Sequence, residues 1–156
     1  MAKLRVLFIG GSGVISSACS RIAVESGIEL SVLNRGRSTV RPLPPGVSML
    51  RADIREPGSV RDEIRNREFD TVVDWVAFTP EHVRTDIELF RGRTGQYVFI
   101  SSASAYQTPP ARMPVTESTP LRNQWYLAEP ARQVADTALD AVMDKLAAAW
   151  TPMTTV

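Results

Sequence analysis

A short apolar run that stops at a cluster of glycines fixes most of what this chain can become. Residues 4–9 are apolar except for Arg5, and they end at Gly10-Gly11-Ser12-Gly13. Apolar residues at successive positions bury both faces of a strand, which is how a central strand of a parallel sheet reads. Beyond the glycines, Val14, Ala18 and Ile22 recur at helical spacing as far as Ser26, and Gly27 supplies a helix stop. Gly10, without a Cβ, can take the tight turn between the two elements, and Gly13 lets a bound group approach the backbone. Amides and dipole at the start of the helix then favour an anion such as a diphosphate.

The rest of the chain repeats this alternation. Further strands are expected at residues 29–33, 47–50, 71–77 and 96–100, the one at 47–50 after a loop containing Pro42, Pro44 and Pro45. Residues 59–66 suggest a helix charged over most of its surface. Thr79-Pro80-Glu81 opens another with a capping hydroxyl, a proline in the first turn and an acid near the positive helix end. Strands alternating with helices predict an α/β fold, a doubly wound parallel sheet of about five strands. Residues 109–130 read as loop, interrupted by Pro109, Pro110, Pro114, Pro120 and Pro130. Residues 131–150 then form an amphipathic helix, with Val134, Ala138, Val142, Leu146 and Trp150 on one stripe and Asp136, Asp140 and Asp144 on another. The expected organisation is a nucleotide-binding domain over 1–123 and a divergent C-terminal segment over 124–156, with the sheet truncated before a sixth strand.

Composition removes several function classes. With 156 residues there is room for one domain with a real core. Eighteen Lys and Arg against seventeen Asp and Glu leave a formal charge of +1, so neither nucleic acid nor a membrane surface is an expected partner. The one cysteine, Cys19, excludes an internal disulfide and a cysteine zinc site, and reads as a packed small side chain. No apolar run approaches the ~20 residues of a membrane span, and residues 1–5 lead directly into a strand, so a cytoplasmic location is expected. There is no Gly-x-Ser-x-Gly elbow and no Gly-Lys-Ser/Thr phosphate loop, which argues against serine hydrolysis and nucleoside-triphosphate hydrolysis. His82, the one histidine, has no partner at ligand spacing; it reads as a surface residue, and no metal site is expected. Trp75, Trp125 and Trp150 read as core or interface.

The spacing Gly10-x-x-Gly13-x-x-Ser16 resembles the Gly-x-x-Gly-x-x-Gly loop of the NAD(P)-dependent epimerase/dehydratase family, the extended short-chain dehydrogenases. Serine replaces the third glycine, and a small residue there still permits close helix–strand packing. Asp53-Ile54, after the third strand, resembles the family's acid-apolar pair. Val73-Asp74-Trp75-Val76-Ala77 occupies its fourth strand with Asp74-Trp75 in place of the usual His-Leu. Ile100-Ser101-Ser102-Ala103-Ser104-Ala105-Tyr106 resembles its Ser-Ser-x-x-x-Tyr, and Thr116-Glu117-Ser118-Thr119-Pro120 the stretch before its catalytic tyrosine. The likeness spans residues 3 to about 123. It implies a Rossmann-like fold with strand order 3-2-1-4-5 holding a dinucleotide, with the diphosphate on Gly10, Gly11, Ser12, Gly13, Val14 and Ile15. Asn34 and Arg35 would meet the adenosine end, Asp53 and Ile54 the adenine, and Val76 and Ala77 the ribose region. Ser102 would orient the reacting oxygen of a sugar nucleotide or similar hydroxyl/carbonyl substrate. Ser104 stands where sugar dehydratases of this family place an acid, which argues against a sugar 4,6-dehydratase. Asn34 with Arg35 and Arg37 beside it, in place of an acid that would repel a 2′-phosphate, favours NADP over NAD.

One part of the pattern fails. The family passes a proton through a Tyr-x-x-x-Lys pair, and this chain has none. Tyr126 is followed four residues later by Pro130; the lysines are Lys3 and Lys145, and position 141 is Ala141. Loss of that pair removes a factor of roughly 10²–10⁴ from proton-coupled hydride transfer. Tyr126 is the remaining candidate acid/base. The sequence therefore describes a catalytically incomplete, truncated, frameshifted or diverged copy. Two alternatives stand beside that reading: a non-catalytic dinucleotide-binding module or sensor, and a partner-dependent fragment. In the latter, a homodimer would be one way to cover the fifth strand's edge and the 134–150 stripe.

Overall fold

The computed structural model describes residues 3–37 and 40–122. These fall into two compact units, one ending at Ile100 and the other beginning at Ser101. In the first unit, strands β1 (Arg5–Ile9), β2 (Glu29–Asn34), β3 (Ser48–Arg51), β4 (Phe69–Asp74) and β5 (Thr94–Phe99) form one sheet in the order β3-β2-β1-β4-β5. Every neighbouring pair is parallel. Helices α1 (Val14–Glu25), α2 (Pro57–Ile64) and α3 (Pro80–Phe90) make the crossovers. This is the Rossmann-like, doubly wound α/β sheet that the sequence predicts.

Alternation along β1 builds the interior on both sides. Leu7 and Ile9, fully buried, join Leu33, Leu50, Val72 and the helix residues Val60, Ile64, Leu89 and Phe90 in one core. Val6 and Phe8 point the other way, to Ala23 of α1 and to Leu30 and Val32 of β2. No helix among the described residues is long and apolar enough to cross a membrane.

The element limits differ from the expected ones where a side chain intervenes. Residues 71–77 read as one strand, but β4 begins at Phe69 and stops at Asp74. Asp74 Oδ1 accepts the N–H groups of Val76 at 2.7 Å and Ala77 at 3.0 Å, which folds the chain into a turn and ends the ladder. Helix α2 starts at Pro57 rather than Ser59 because proline is suited to a first turn, where no amide donor is needed. Thr79 caps α3 as expected, its hydroxyl accepting the His82 N–H at 3.3 Å.

In the second unit, Ala103–Ala105 form a short 3₁₀ turn. The described residues after it, as far as 122, are loop, with the Gln107 N–H donating to the Pro120 carbonyl at 2.8 Å. The expected helix over 131–150 and the divergent segment over 124–156 lie outside the described residues.

Gly11 is the tightest point of the turn after β1. It has φ +106°, and a Cβ there would stand 2.9 Å from a Val32 methyl. Gly11→Ala should therefore lower stability by about 1–3 kcal/mol, through backbone strain and the clash with β2, measured by urea unfolding.

Candidate functional site

The carboxyl ends of the strands enclose a cavity of about 400 Å³. Ile9 and Gly10 bring the end of β1 to it, Leu33 and Asn34 the end of β2, Ala52 to Arg55 the turn after β3, and Val76 and Phe78 the turn after β4. This is where open parallel sheets take ligands, because the turns on either side of the first strand part there. The volume lies within the range of small-molecule pockets.

Each wall has its own fastening. On the β2 side, Asn34 Oδ1 accepts the Gly36 N–H at 2.8 Å, curling the backbone so that Arg35 and Arg37 both line the cavity. Asp53 Oδ1 accepts the Arg55 N–H at 3.0 Å, and its Oδ2 lies 3.9 Å from Arg35 Nη1, a loose, solvent-screened pair. On the β4 side, the Arg55 guanidinium donates to the Val76 carbonyl. The Phe78 N–H donates to His82 Nδ1 at 3.1 Å. At the head of α1, Gly13 has no side chain to cap the helix, so amides of the first turn stay open to an anion. Gly13's own N–H is an exception: it donates to Ser16 Oγ at 2.9 Å.

Beneath the β4 turn lies a buried polar group. Asp74 and Asp86 are both inaccessible to solvent, and the Tyr97 hydroxyl stands between them. Burial pushes the Asp86 carboxyl up to about 8, with the neighbouring Asp74 adding to the shift and Arg55 opposing it. The Tyr97 phenol is also held well above its ordinary range, by burial first and then by the two carboxyls.

No family model matches the chain. Among curated proteins, it is 30% identical over 136 residues to a UDP-glucose 4-epimerase of Streptomyces lividans, covering 76% of this chain and 41% of that one. A UDP-glucose 4-epimerase of Lactobacillus helveticus is 28% identical over 135 residues, with the same coverages of 76% and 41%. The chain is thus similar to the N-terminal part of these epimerases. It spans about two-fifths of the length of these curated relatives. Solved structures share the fold. A UDP-glucose 4-epimerase from Bifidobacterium longum, in complex with NAD+ and UDP, superposes with a TM-score of 0.70 at 18% identity, covering 92% of this chain and 49% of that one. The UDP-Glc/GlcNAc 4-epimerase of Campylobacter jejuni gives 0.67 at 18% identity, covering 90% and 48%.

Of the residues that the family resemblance singles out, Gly10, Ser12, Asn34, Arg35, Asp53, Ile54 and Val76 line the cavity. Gly11 and Ala77 are buried beside it, and Gly13, Val14 and Ile15 are exposed at the head of α1. Ser102, in the second unit, is exposed, and its Oγ accepts the Ser104 N–H at 3.1 Å, capping the 3₁₀ turn. Tyr126 lies outside the described residues. His82 corrects the sequence reading: it is half-buried, its ring holds the Phe78 amide, and it lines the cavity. Trp75 is core, as expected, edge-on to Phe8 with ring centroids 5.4 Å apart, although its indole N–H is buried without a partner among the described residues. Sequence reasoning missed Arg55, because no motif marks a residue that reaches across to a neighbouring turn. It also missed the Asp74–Tyr97–Asp86 group, whose members are far apart along the chain.

Asp86 gives the fold a pH signature. Its carboxyl titrates near 4 in the unfolded chain and at about 8 in the folded protein, so between those values only the folded state keeps the proton. Stability should be highest below the lower value. It should fall as pH rises through this window, by up to about 1.4 kcal/mol per unit, and level off above it. Asp86→Asn should flatten that slope in urea melts recorded across the range.

Proposed function

We propose that the cavity at the carboxyl ends of β1, β2 and β4 binds a nicotinamide dinucleotide. The observation that carries this reading is the junction of two features at one mouth. Open amides at the head of α1 adjoin a pocket whose far wall presents Arg35, Arg37, Asp53 and Ile54. A diphosphate suits the first and an adenosine the second. The residues fit such a group: Gly10 has φ +102°, and a Cβ there would crowd Val76 and Trp75 at 3.1 and 3.2 Å, so the narrow turn admits only glycine. Gly10, Gly11, Ser12, Gly13, Val14 and Ile15 would hold the diphosphate, and Val76 and Ala77 would border the ribose region.

NADP is the preferred form in this reading. Asn34 stands where an acid would reject a 2′-phosphate, and the adjacent guanidinium groups favour one. When bound, the nicotinamide supplies a hydride acceptor or donor. The likeness to these relatives suggests an epimerase/dehydratase-type reaction on a sugar nucleotide or a similar hydroxyl/carbonyl substrate, as their names indicate for those proteins. Ser102 would orient the reacting oxygen: its Oγ accepts from Ser104 and keeps its own proton to donate. Tyr126 would be the acid/base.

A second reading rests on the absence of Tyr-x-x-x-Lys from the sequence. In it, the chain binds the dinucleotide without turning over substrate, as a module or sensor. Turnover of UDP-glucose or UDP-galactose by the purified chain separates the two, since a module gives none at any enzyme concentration.

Calorimetric titration with NADPH and NADH tests the shared core of both readings. Saturable binding is expected, tighter for NADPH. Arg35→Ala should weaken NADPH by about tenfold, the loss of one charge-assisted contact at an exposed site, and leave NADH nearly unchanged. No heat and no thermal protection with either dinucleotide would sink the proposal.

A further inference from the structure

Asp86 is fully buried on α3 and is not among the residues that line the cavity. It meets Tyr97 through that residue's hydroxyl and Asp74 carboxyl to carboxyl. Tyr97 Oη lies 2.9 Å from Asp74 Oδ2 and 3.3 Å from Asp86 Oδ2. A phenol has one proton and can donate it once. Two contacts among three oxygens therefore need a second proton, and a carboxyl must carry it. Asp74 is the better hydrogen-bonded of the two carboxyls, with two amide N–H groups on Oδ1 and the shorter phenol contact on Oδ2. The second proton thus belongs to Asp86, whose Oδ1 has no hydrogen-bond partner among the described residues. The Asp86 proton then faces both the Tyr97 oxygen and Asp74, and the Tyr97 hydroxyl donates to the Asp74 carboxylate.

The far end of this chain is the cavity wall. Val76 and Ala77, whose amides Asp74 holds, form the turn after β4; Val76 lines the cavity, and its carbonyl accepts from Arg55, which lines it too. We propose that Asp86, Tyr97 and Asp74 act as a proton-loaded brace, positioning the β4–α3 turn against the cavity, and that removal of the Asp86 proton slackens that wall.

The groups around Asp86 give a reason. Asp74 faces it from β4, Tyr97 from β5 and Arg55 from the loop before α2. Helix α2 contributes the apolar Val60 and Ile64 to the adjoining core and no charged group among those acting on Asp86. Once Asp86 is ionised, two carboxylates compete for one phenol proton, and Asp74 loses part of what fixes its orientation. The brace stands on the apo-protein's geometry; only its effect on affinity rests on the dinucleotide reading.

Carboxyl and backbone-amide NMR of the full chain, without ligand, tests the brace from about pH 5.5 to about pH 9.5, spanning the shifted range of a buried carboxyl. The Val76 and Ala77 amide protons are expected to move with the Asp86 carboxyl carbon, at one midpoint. In Asp86→Asn both amides should stay constant. In Tyr97→Phe, Asp86 should still titrate, and the two amides should follow it with reduced amplitude. Amides that remain fixed as Asp86 titrates, or that titrate unchanged in Asp86→Asn, overturn the proposal. NADH affinity provides the second arm: Kd should rise roughly fivefold or more between about pH 6 and about pH 9 in the wild type and stay level in Asp86→Asn. Equal affinity at both pH values would overturn the link from brace to cavity. Coupled amides with binding of neither NADH nor NADPH at either pH would uphold the brace and remove the dinucleotide reading alone.

Discussion

Burial of β1 on all sides is the constraint on which the rest of the structure depends. The strand pairs with β2 along one edge and with β4 along the other, and its alternate side chains enter two separate cores. A strand enclosed in this way can meet solvent only at its ends. Its carboxyl end is Gly10, where the chain must leave the sheet at once and turn into α1. The functional mouth is therefore a by-product of the packing: chain entering and leaving a crowded sheet has one place to present backbone amides, and the cavity opens beside it.

That hierarchy explains what the sequence disclosed. Hydrophobic runs, glycine punctuation and the Thr79-Pro80-Glu81 helix start were enough to place the strands and helices, because each is a local physical signal; the strand order followed from the family resemblance. The Gly10–Gly13 turn and the polar Asn34–Arg37 turn were readable for the same reason. What stayed hidden was made by contacts between distant positions. Asp74 looked like one more residue in a buried strand, yet its carboxylate ends that strand by capturing two amides. His82 looked solvated because it is solitary in sequence, whereas the fold gives its ring an amide to hold. Arg55 carried no periodicity or motif to distinguish it from the many other arginines of the chain.

The two sides of the cavity are built on different physical principles. The Asn34–Arg37 side is exposed, rich in guanidinium and tied by a single loose ion pair, so it can adapt to a charged ligand at little cost. The β4 side is braced from below by groups excluded from water, where each hydrogen bond is stronger and each unpaired charge costs more. In the proposed dinucleotide site, recognition of charge falls to the compliant wall and recognition of shape to the stiff one.

Ser16 has a consequence for how the mouth treats anions. By accepting the Gly13 N–H, its hydroxyl satisfies from inside the loop a donor that a glycine at the same position would have left for an incoming guest. The helix is consequently fastened at its first turn before any guest arrives, and fewer free donors face outward to greet one. Attraction then falls more heavily on the helix dipole and the remaining amides. Such a design exchanges tightness of grip for a doorway that keeps its shape.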